Sequence, residues 1–421
     1  MLATIAGLLL ATTLPARTQT LTTLYSFSDS DGRYPESGVV WGPDGNLYGS
    51  TAAAGAYGDG TLFRMTPAGT LTTLHTFSGY PSDGEFPQGR LTFDSQGNVY
   101  GTTNLGGSKL CISKEACGTA FKLTPAGDLA VLHSFFFNYP PSMVRQGPWV
   151  TDGTWPSGGV VRDAQGNLYG ATQNGGTYDP AFCFEFAACF GNGVVFKIAP
   201  DGSETILHYF TQANDGGNPR NGIIADSAGN LYGTTFRGGQ FGKGTVFKIT
   251  PQGALTTLYT FTESPFDGQY PNGDLVMDAK GNLYGTTMFG GTAGYGSVFE
   301  VSPNGAEKLL YSFQGAGQGA DAANPNGGLV LDAQGNLYGT SIEGIYFNCF
   351  NLRGCGTIFK ITPGGTETLL YVFSGDADGW YPNGNLVFDS EGNLYGTTVN
   401  GGNFSGSCNV VGCGTIFKLT P

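Results

Sequence analysis

Apolar and polar residues alternate over short stretches along this chain, and no stretch sustains apolar residues at the 3.6-residue spacing of an amphipathic helix. The alternating stretches are rich in β-branched and aromatic residues and are closed by Gly, Pro, Asn and Asp, the pattern of strands joined by tight turns. Essentially no helix is expected. Four such stretches recur in fixed order. In the fifth recurrence they predict strand A over 274–278, strand B over 282–287, strand C over 297–302 and strand D over 306–313.

The recurrence is carried by phrases. Gly-Asn-Leu-Tyr-Gly ends at Gly49, Gly170, Gly233, Gly285, Gly339 and Gly396, and Val99 replaces Leu in the copy ending at Gly101. The strand C phrase, Gly-Thr-Val-Phe-Lys-Ile-Thr-Pro or a variant, supplies Phe63, Phe121, Phe196, Phe247, Phe299, Phe359 and Phe417. The strand D phrase ends at Phe77, Phe135, Phe210, Phe261, Phe313 and Phe373, and once more, ahead of the first full repeat, at Phe27. The A–B connection, Asp-x-x-Gly-Asn, is a turn in which Asp caps the backbone and Gly supplies positive φ. Asp94, Asp163, Asp226, Asp278, Asp332 and Asp389 fill it, and Gly42 stands there in the first repeat.

Four strands in a repeat of about fifty to seventy residues has the size of a propeller blade. The chain begins with a lone strand D and ends after a strand C, so seven of each strand are complete only if the first strand finishes the last blade. A closed ring needs such a clasp, whereas an open array leaves its end sheets exposed. The expected fold is all-β: a seven-bladed β-propeller of four-stranded blades, one domain over 17–421. A truncated gene lacking a further blade or an anchor is the alternative.

The run Asp-x-x-Gly-Asn-Leu-Tyr-Gly-Thr-Thr followed by Gly-Thr-Val-Phe-Lys-Ile-Thr-Pro resembles the GloVer tandem repeat of exported bacterial proteins, described as choice-of-anchor because members end in different surface-attachment tails. The resemblance covers nearly all of 21–421 and implies export and a surface location. It brings no biochemical activity with it. No sorting tail follows Pro421 in this sequence.

Residues 2–14 form an apolar run too short to span a bilayer and suited to a signal-peptide core, with Ala16 as a small residue for cleavage. The first charge is Arg17, so the true start of a signal over 1–16 is expected upstream of Met1. Lys and Arg number 19 against 32 Asp and Glu, a formal charge of −13 without basic clusters. Phosphate-tracking surfaces need clustered Lys and Arg, which argues against nucleic acid and anionic membrane as partners. The eight cysteines fall as four local pairs, Cys111/Cys117, Cys183/Cys189, Cys349/Cys355 and Cys408/Cys413, all in long B–C loops. Hairpin disulfides in an oxidising compartment are expected, each restricting the unfolded chain by about 2 kcal/mol. A zinc site built from two cysteine pairs is the alternative.

Function is expected on the face formed by the B–C and D–A loops, where all the long insertions fall, because variable loops on a rigid scaffold are where binding concentrates. The D–A loops repeat Asp-Gly-x-aromatic-Pro and place Asp31, Asp83, Asp152, Asp215, Asp267, Asp321 and Asp378 at equivalent positions. These are weak Ca²⁺ candidates; the alternative is seven Asx-turns with aromatics wedged between blades. His75, His133 and His208 share one strand D position with Tyr25, Tyr259, Tyr311 and Tyr371, which reads as aromatic exchange within a scaffold rather than acid–base chemistry. The third repeat breaks the pattern most, with aromatic-rich insertions that make Arg145, Trp149, Trp155, Phe182, Phe184, Glu185 and Phe186 candidates for contact with carbohydrate or protein. No cofactor is required, and common hydrolase signatures are absent. The expected role is a binding or structural module; the alternative is an enzyme acting on extracellular glycans through carboxylates at the channel mouth.

Overall fold

The computed structural model describes residues 19–108, 117–136, 149–178, 191–315, 321–344, 349 and 354–420. They form seven antiparallel blade sheets, each with the strand order A-B-C-D, and two short two-stranded sheets beside them. Blade 1, for example, consists of Val39–Trp41, Leu47–Thr51, Thr61–Met65 and Leu71–Thr76. Strand C of the last blade, Thr415–Thr420, pairs with the first strand of the chain, Thr20–Ser26, from Thr20↔Thr420 to Ser26↔Thr415. The ring is therefore closed through its seventh blade, a seven-bladed propeller. Blades 7 and 1 also meet at Gly38↔Asn385 and through the Trp41 indole, which donates to the Phe388 carbonyl at 2.8 Å. No α-helix occurs among the described residues; a three-residue 3₁₀ turn spans Gly406–Cys408.

One aromatic pair repeats at every blade interface. The terminal Phe of strand D packs on the strand C Phe of the next blade: Phe27 on Phe63, Phe77 on Phe121, Phe135 on Phe196, Phe210 on Phe247, Phe261 on Phe299, Phe313 on Phe359 and Phe373 on Phe417. Centroid separations are 5.0 to 5.5 Å with the rings steeply tilted. All fourteen rings are fully buried. Within each blade the strand C ring lies over the last Gly of the Gly-Asn-Leu-Tyr-Gly phrase. A Cβ at Gly285 would sit 2.6 Å from Phe299 Cζ, and the six equivalents would be 2.5 to 2.7 Å from theirs. That glycine is kept for space, whereas the first glycine of the phrase, such as Gly281 at φ +83°, is kept for its turn.

The A–B turns form as the sequence suggests. Asp278 accepts from the backbone N–H and side-chain amide of Asn282, both at 2.9 Å, and from the Tyr284 hydroxyl at 3.1 Å. In blade 1, where Gly42 replaces the acid, Asp44 takes over from two positions on and receives the same three donors from Asn46 and Tyr48. At Asp94 burial works to raise the pKa, but the bonds from Asn98 and Tyr100 outweigh it and bring it to about 2.

Strand A departs from expectation. In blades 5 to 7 the innermost layer is two pieces. Gly268–Pro271 pairs with the far end of a long strand B, Leu283–Gly290, and Val276–Met277 pairs with its near end. Asn272 still donates its N–H to the Thr286 carbonyl at 3.1 Å, and from there the chain leaves the ladder and turns in to line the axis of the ring.

Candidate ligand-binding site at the mouth of the central channel

The D–A segments carry the chain from the outer edge of one blade to the axis of the next. Each is anchored by its Asp. A Tyr hydroxyl or His Nε2–H from strand D donates to that carboxylate, as in Tyr259 to Asp267 at 2.9 Å, His75 to Asp83 at 2.8 Å and His208 to Asp215 at 3.0 Å. A backbone N–H of the same loop adds a second bond, such as Thr262 N to Asp267 at 2.7 Å. Tyr25 with Asp31, His133 with Asp152, Tyr311 with Asp321 and Tyr371 with Asp378 repeat the arrangement. Tyr and His interchange at this position because both present one donor at the same reach. Each of the seven carboxylates is thus engaged inside its own loop.

Three residues after each Asp, the backbone adopts a left-handed conformation: Tyr34, Phe86, Trp155, Asn218, Tyr270, Asn324 and Tyr381 all lie at φ 52° to 62°. This region is costly for an aromatic residue and natural for Asn, which explains the two asparagines. The N–H of each donates to a B–C loop carbonyl of the preceding blade, as Tyr270 does to Lys243 at 2.9 Å. Proline follows every time. The next residue then points the chain into the channel, and there the sevenfold identity stops: Glu36, Gln88, Ser157, Arg220, Asn272, Asn326 and Asn383. Two positions further, Arg90, Asp274 and Asn385 break the glycine pattern of the other blades.

All ten of these residues except Ser157, which contributes with Gly158, bring polar side chains longer than a hydroxyl to one cavity of about 420 Å³, within the range of small-molecule sites. Amides link three blades: Asn272 donates to Asn326, and Asn326 to Asn383 at 2.9 Å. Below them Asp274 accepts from Gly222 N at 2.7 Å and from the Asn385 amide at 2.6 Å, tying blades 4, 5 and 7. On the other side Gln88 donates to Glu36 at 2.6 Å and accepts from Asn104. The Arg220 guanidinium lies 3.8 Å from the Phe236 ring centre, and its buried Nε has no hydrogen-bond partner among the described residues.

Burial pushes the Glu36 carboxyl up to about 7. A carboxyl whose folded pKa exceeds its unfolded value favours folding fully only below the unfolded pKa, and that contribution is lost as pH rises through 7. Glu36→Gln is therefore expected to match the wild type in stability below pH 4 and to exceed it at pH 8. Urea unfolding at both pH values checks this; an equal difference at both would remove Glu36 as the titrating group.

The structure distributes the blade 3 candidates unevenly. Arg145, Phe182, Phe184, Glu185 and Phe186 lie outside the described residues. Trp149 belongs to a short strand, Trp149–Val150, paired with Thr177–Tyr178. Trp155 occupies the left-handed position, and its side chain is exposed. Cys349 is bonded to Cys355 and Cys408 to Cys413, with Cα atoms 5.4 and 5.2 Å apart. Cys117 is also disulfide-bonded; Cys111, Cys183 and Cys189 lie outside the described residues. Disulfides agree with an oxidising compartment. Among the described residues, the large apolar side chains exposed to solvent are Tyr57, Tyr80, Trp155, Phe241, Phe266, Phe289, Phe404 and Val410. All but Phe289, which stands at the far end of the long strand B of blade 5, lie in B–C or D–A loops, on the face where the channel opens between the D–A segments. No described helix is long and apolar enough to cross a membrane.

A propeller of sevenfold blades with a polar, asymmetric channel mouth is the class defined here. The chain matches the Gloeobacter/Verrucomicrobia repeat over residues 11–189 and again over 184–349, and it belongs to that family. No curated protein sequence matches it. Among solved structures it is similar to a gluconolactonase from Xanthomonas campestris, at 13% identity over 95% of this chain and 88% of that one, with a TM-score of 0.42. A luciferin-regenerating enzyme is similar at 13% identity over 96% and 95% of the two chains, also with a TM-score of 0.42. At this distance neither likeness bears on chemistry.

Proposed function

We propose that the protein is exported and binds carbohydrate on its loop face, with the channel mouth taking the polar end of the ligand. One observation carries this reading: at one equivalent position the sevenfold scaffold delivers five different polar residue types, Glu, Gln, Ser, Arg and Asn, to a single cavity. A scaffold needs one repeated residue at each such position, and here blades 1 to 4 each carry a different one. Amides, a carboxyl and a guanidinium are the groups that recognise hydroxyl-rich ligands. The exposed aromatics of the surrounding loops, Trp155 of blade 3 among them, present flat faces on which sugar rings stack.

Glycan-array screening of the protein without its first 16 residues, followed by calorimetry with the best ligand, tests the proposal. Arg220→Met is expected to weaken binding about tenfold to a hundredfold, the worth of a hydrogen bond to a charged group, with little change in thermal stability. Undiminished binding by Arg220→Met would place the ligand elsewhere.

A second reading rests on Glu36. A carboxyl pushed up to about 7 is suited to exchange protons at neutral pH, and Asp274 supplies a second carboxylate in the same cavity. On this reading the protein cleaves extracellular glycans, and Glu36→Gln abolishes turnover while leaving binding intact.

A further inference from the structure

We infer that the interface between blades 2 and 3 is a divalent transition-metal site, formed by His133, Asp152 and Glu204 and suited to Zn²⁺. It lies at the outer edge of the ring, apart from the channel mouth, and does not depend on the carbohydrate reading. His133 comes from strand D of blade 2, Leu129–Ser134, and Asp152 from the D–A segment leading into blade 3. Glu204 opens strand D of blade 3, Glu204–Tyr209. The His133 Nε2 is 3.1 Å from Asp152 Oδ2 and 3.5 Å from Glu204 Oε2, and the three side chains are only 9 to 12% exposed.

The other six interfaces show what the scaffold requires and what it does not. His–Asp pairs recur at His75/Asp83 and His208/Asp215, but there Leu129 and Leu255 stand where Glu204 does. Glu recurs at Glu307 and Glu367, but there Tyr259 and Tyr311 stand where His133 does. The two remaining interfaces combine Tyr with Leu, at Tyr25/Leu71 and Tyr371/Leu21. Imidazole and two carboxylates coincide at one interface of seven, and among the described residues this is the one cluster with the donor set for a metal.

The geometry agrees with the chemistry. Zn–N and Zn–O bonds of about 2.0–2.2 Å place neighbouring tetrahedral ligand atoms about 3.3–3.6 Å apart, close to the two separations seen here. Two nearly buried carboxylates meet at one imidazole, and a dication balances both of their charges. In the metal-free arrangement Nε2–H donates to Asp152. On binding, Zn²⁺ takes the place of that proton at Nε2, and the neutral ring carries its proton on Nδ1 instead. A hard cation such as Ca²⁺ would prefer six or more oxygens without imidazole.

Zinc titration of chelator-treated protein by calorimetry tests the site, with Glu204→Leu and His133→Tyr as paired variants. Each variant turns this interface into one already present elsewhere in the ring, so folding is expected to survive, as circular dichroism will show. The wild type should take up one more Zn²⁺ per chain than either variant. Its melting temperature should rise with added Zn²⁺, as mass action requires, by more than that of either variant. Equal zinc uptake by wild type and variants, or none by the wild type, would overturn the proposal.

Discussion

Deleting residues 20–27 is expected to abolish cooperative folding of the ring, although the segment contributes a single outer strand. It supplies six paired residues to Thr415–Thr420, and without it the edge of blade 7 is left open. It also supplies Phe27, the fully buried partner of Phe63 across the blade 7–blade 1 interface. Burial of a large aromatic side chain contributes about 3–5 kcal/mol by truncation data, and lost strand pairing adds to that. The sum is comparable with the 5–15 kcal/mol total stability of an ordinary domain. The variant should elute as expanded or aggregated species and lack a sharp thermal transition. A permuted chain is the control. The described chain reaches the Lys418-Leu419-Thr420 end of strand C, and the other blades continue with a turn such as Thr66-Pro67-Ala68-Gly69. Appending Ala-Gly and residues 20–27 after Pro421 recreates that connection and should restore the transition. A deletion variant that melts like the wild type would falsify the clasp.

The second large effect concerns Gly285 and Phe299. Phe299→Ala should lower stability by about 3–5 kcal/mol, because the ring is fully buried between its own blade and Phe261 of the preceding one. Gly285→Ala should cost about 1–3 kcal/mol, because the added methyl would lie 2.6 Å from Phe299 Cζ and 2.8 Å from Leu275 Cδ2. The two effects should not add. Once the ring is gone the methyl has room, so the double variant should lose less than the sum of the singles. Urea unfolding of the four proteins measures the coupling, and strict additivity would mean that the glycine is kept for some other reason.

Much of this fold was legible because a repeat exposes its scaffold by comparison with itself. The Asp-x-x-Gly-Asn turn, the strand C and D phenylalanines and the solitary first strand were all visible as recurring or displaced residues. Their physical meaning was less visible. The last glycine of Gly-Asn-Leu-Tyr-Gly gives no reason for its recurrence in sequence, but it is the floor beneath a Phe ring that arrives from the adjacent strand. Asp44 could not be recognised as the substitute for the missing turn acid, because it stands two positions away and becomes equivalent only when the turn is folded. Strand A of blade 5 was expected over 274–278 and is shorter, Val276–Met277, while Gly268–Pro271 of the D–A segment, expected as a loop, adds a second piece to the same edge.

The candidate site was hidden for a different reason. The aromatic insertions of blade 3 attract the eye because they are long, whereas Glu36, Gln88, Arg220, Asn272, Asn326 and Asn383 are isolated polar residues in otherwise regular repeats. A signal was present: each directly follows the proline of the D–A segment, and aligning the repeats on that proline isolates a column without consensus. Sequence could show that the column varies. It could not show that the column faces inward.

The sequence by itself determined the strands, their order, the count of seven and the clasp, because these depend on local periodicity, turn chemistry and on which phrase begins the chain. Only the tertiary structure decided where chemistry gathers. Closing the ring brings residues up to 349 positions apart, Glu36 and Asn385, into one cavity, and places Glu204 of one blade against His133 of another. Convergence of that kind depends on the curvature of the whole ring, which no local pattern encodes.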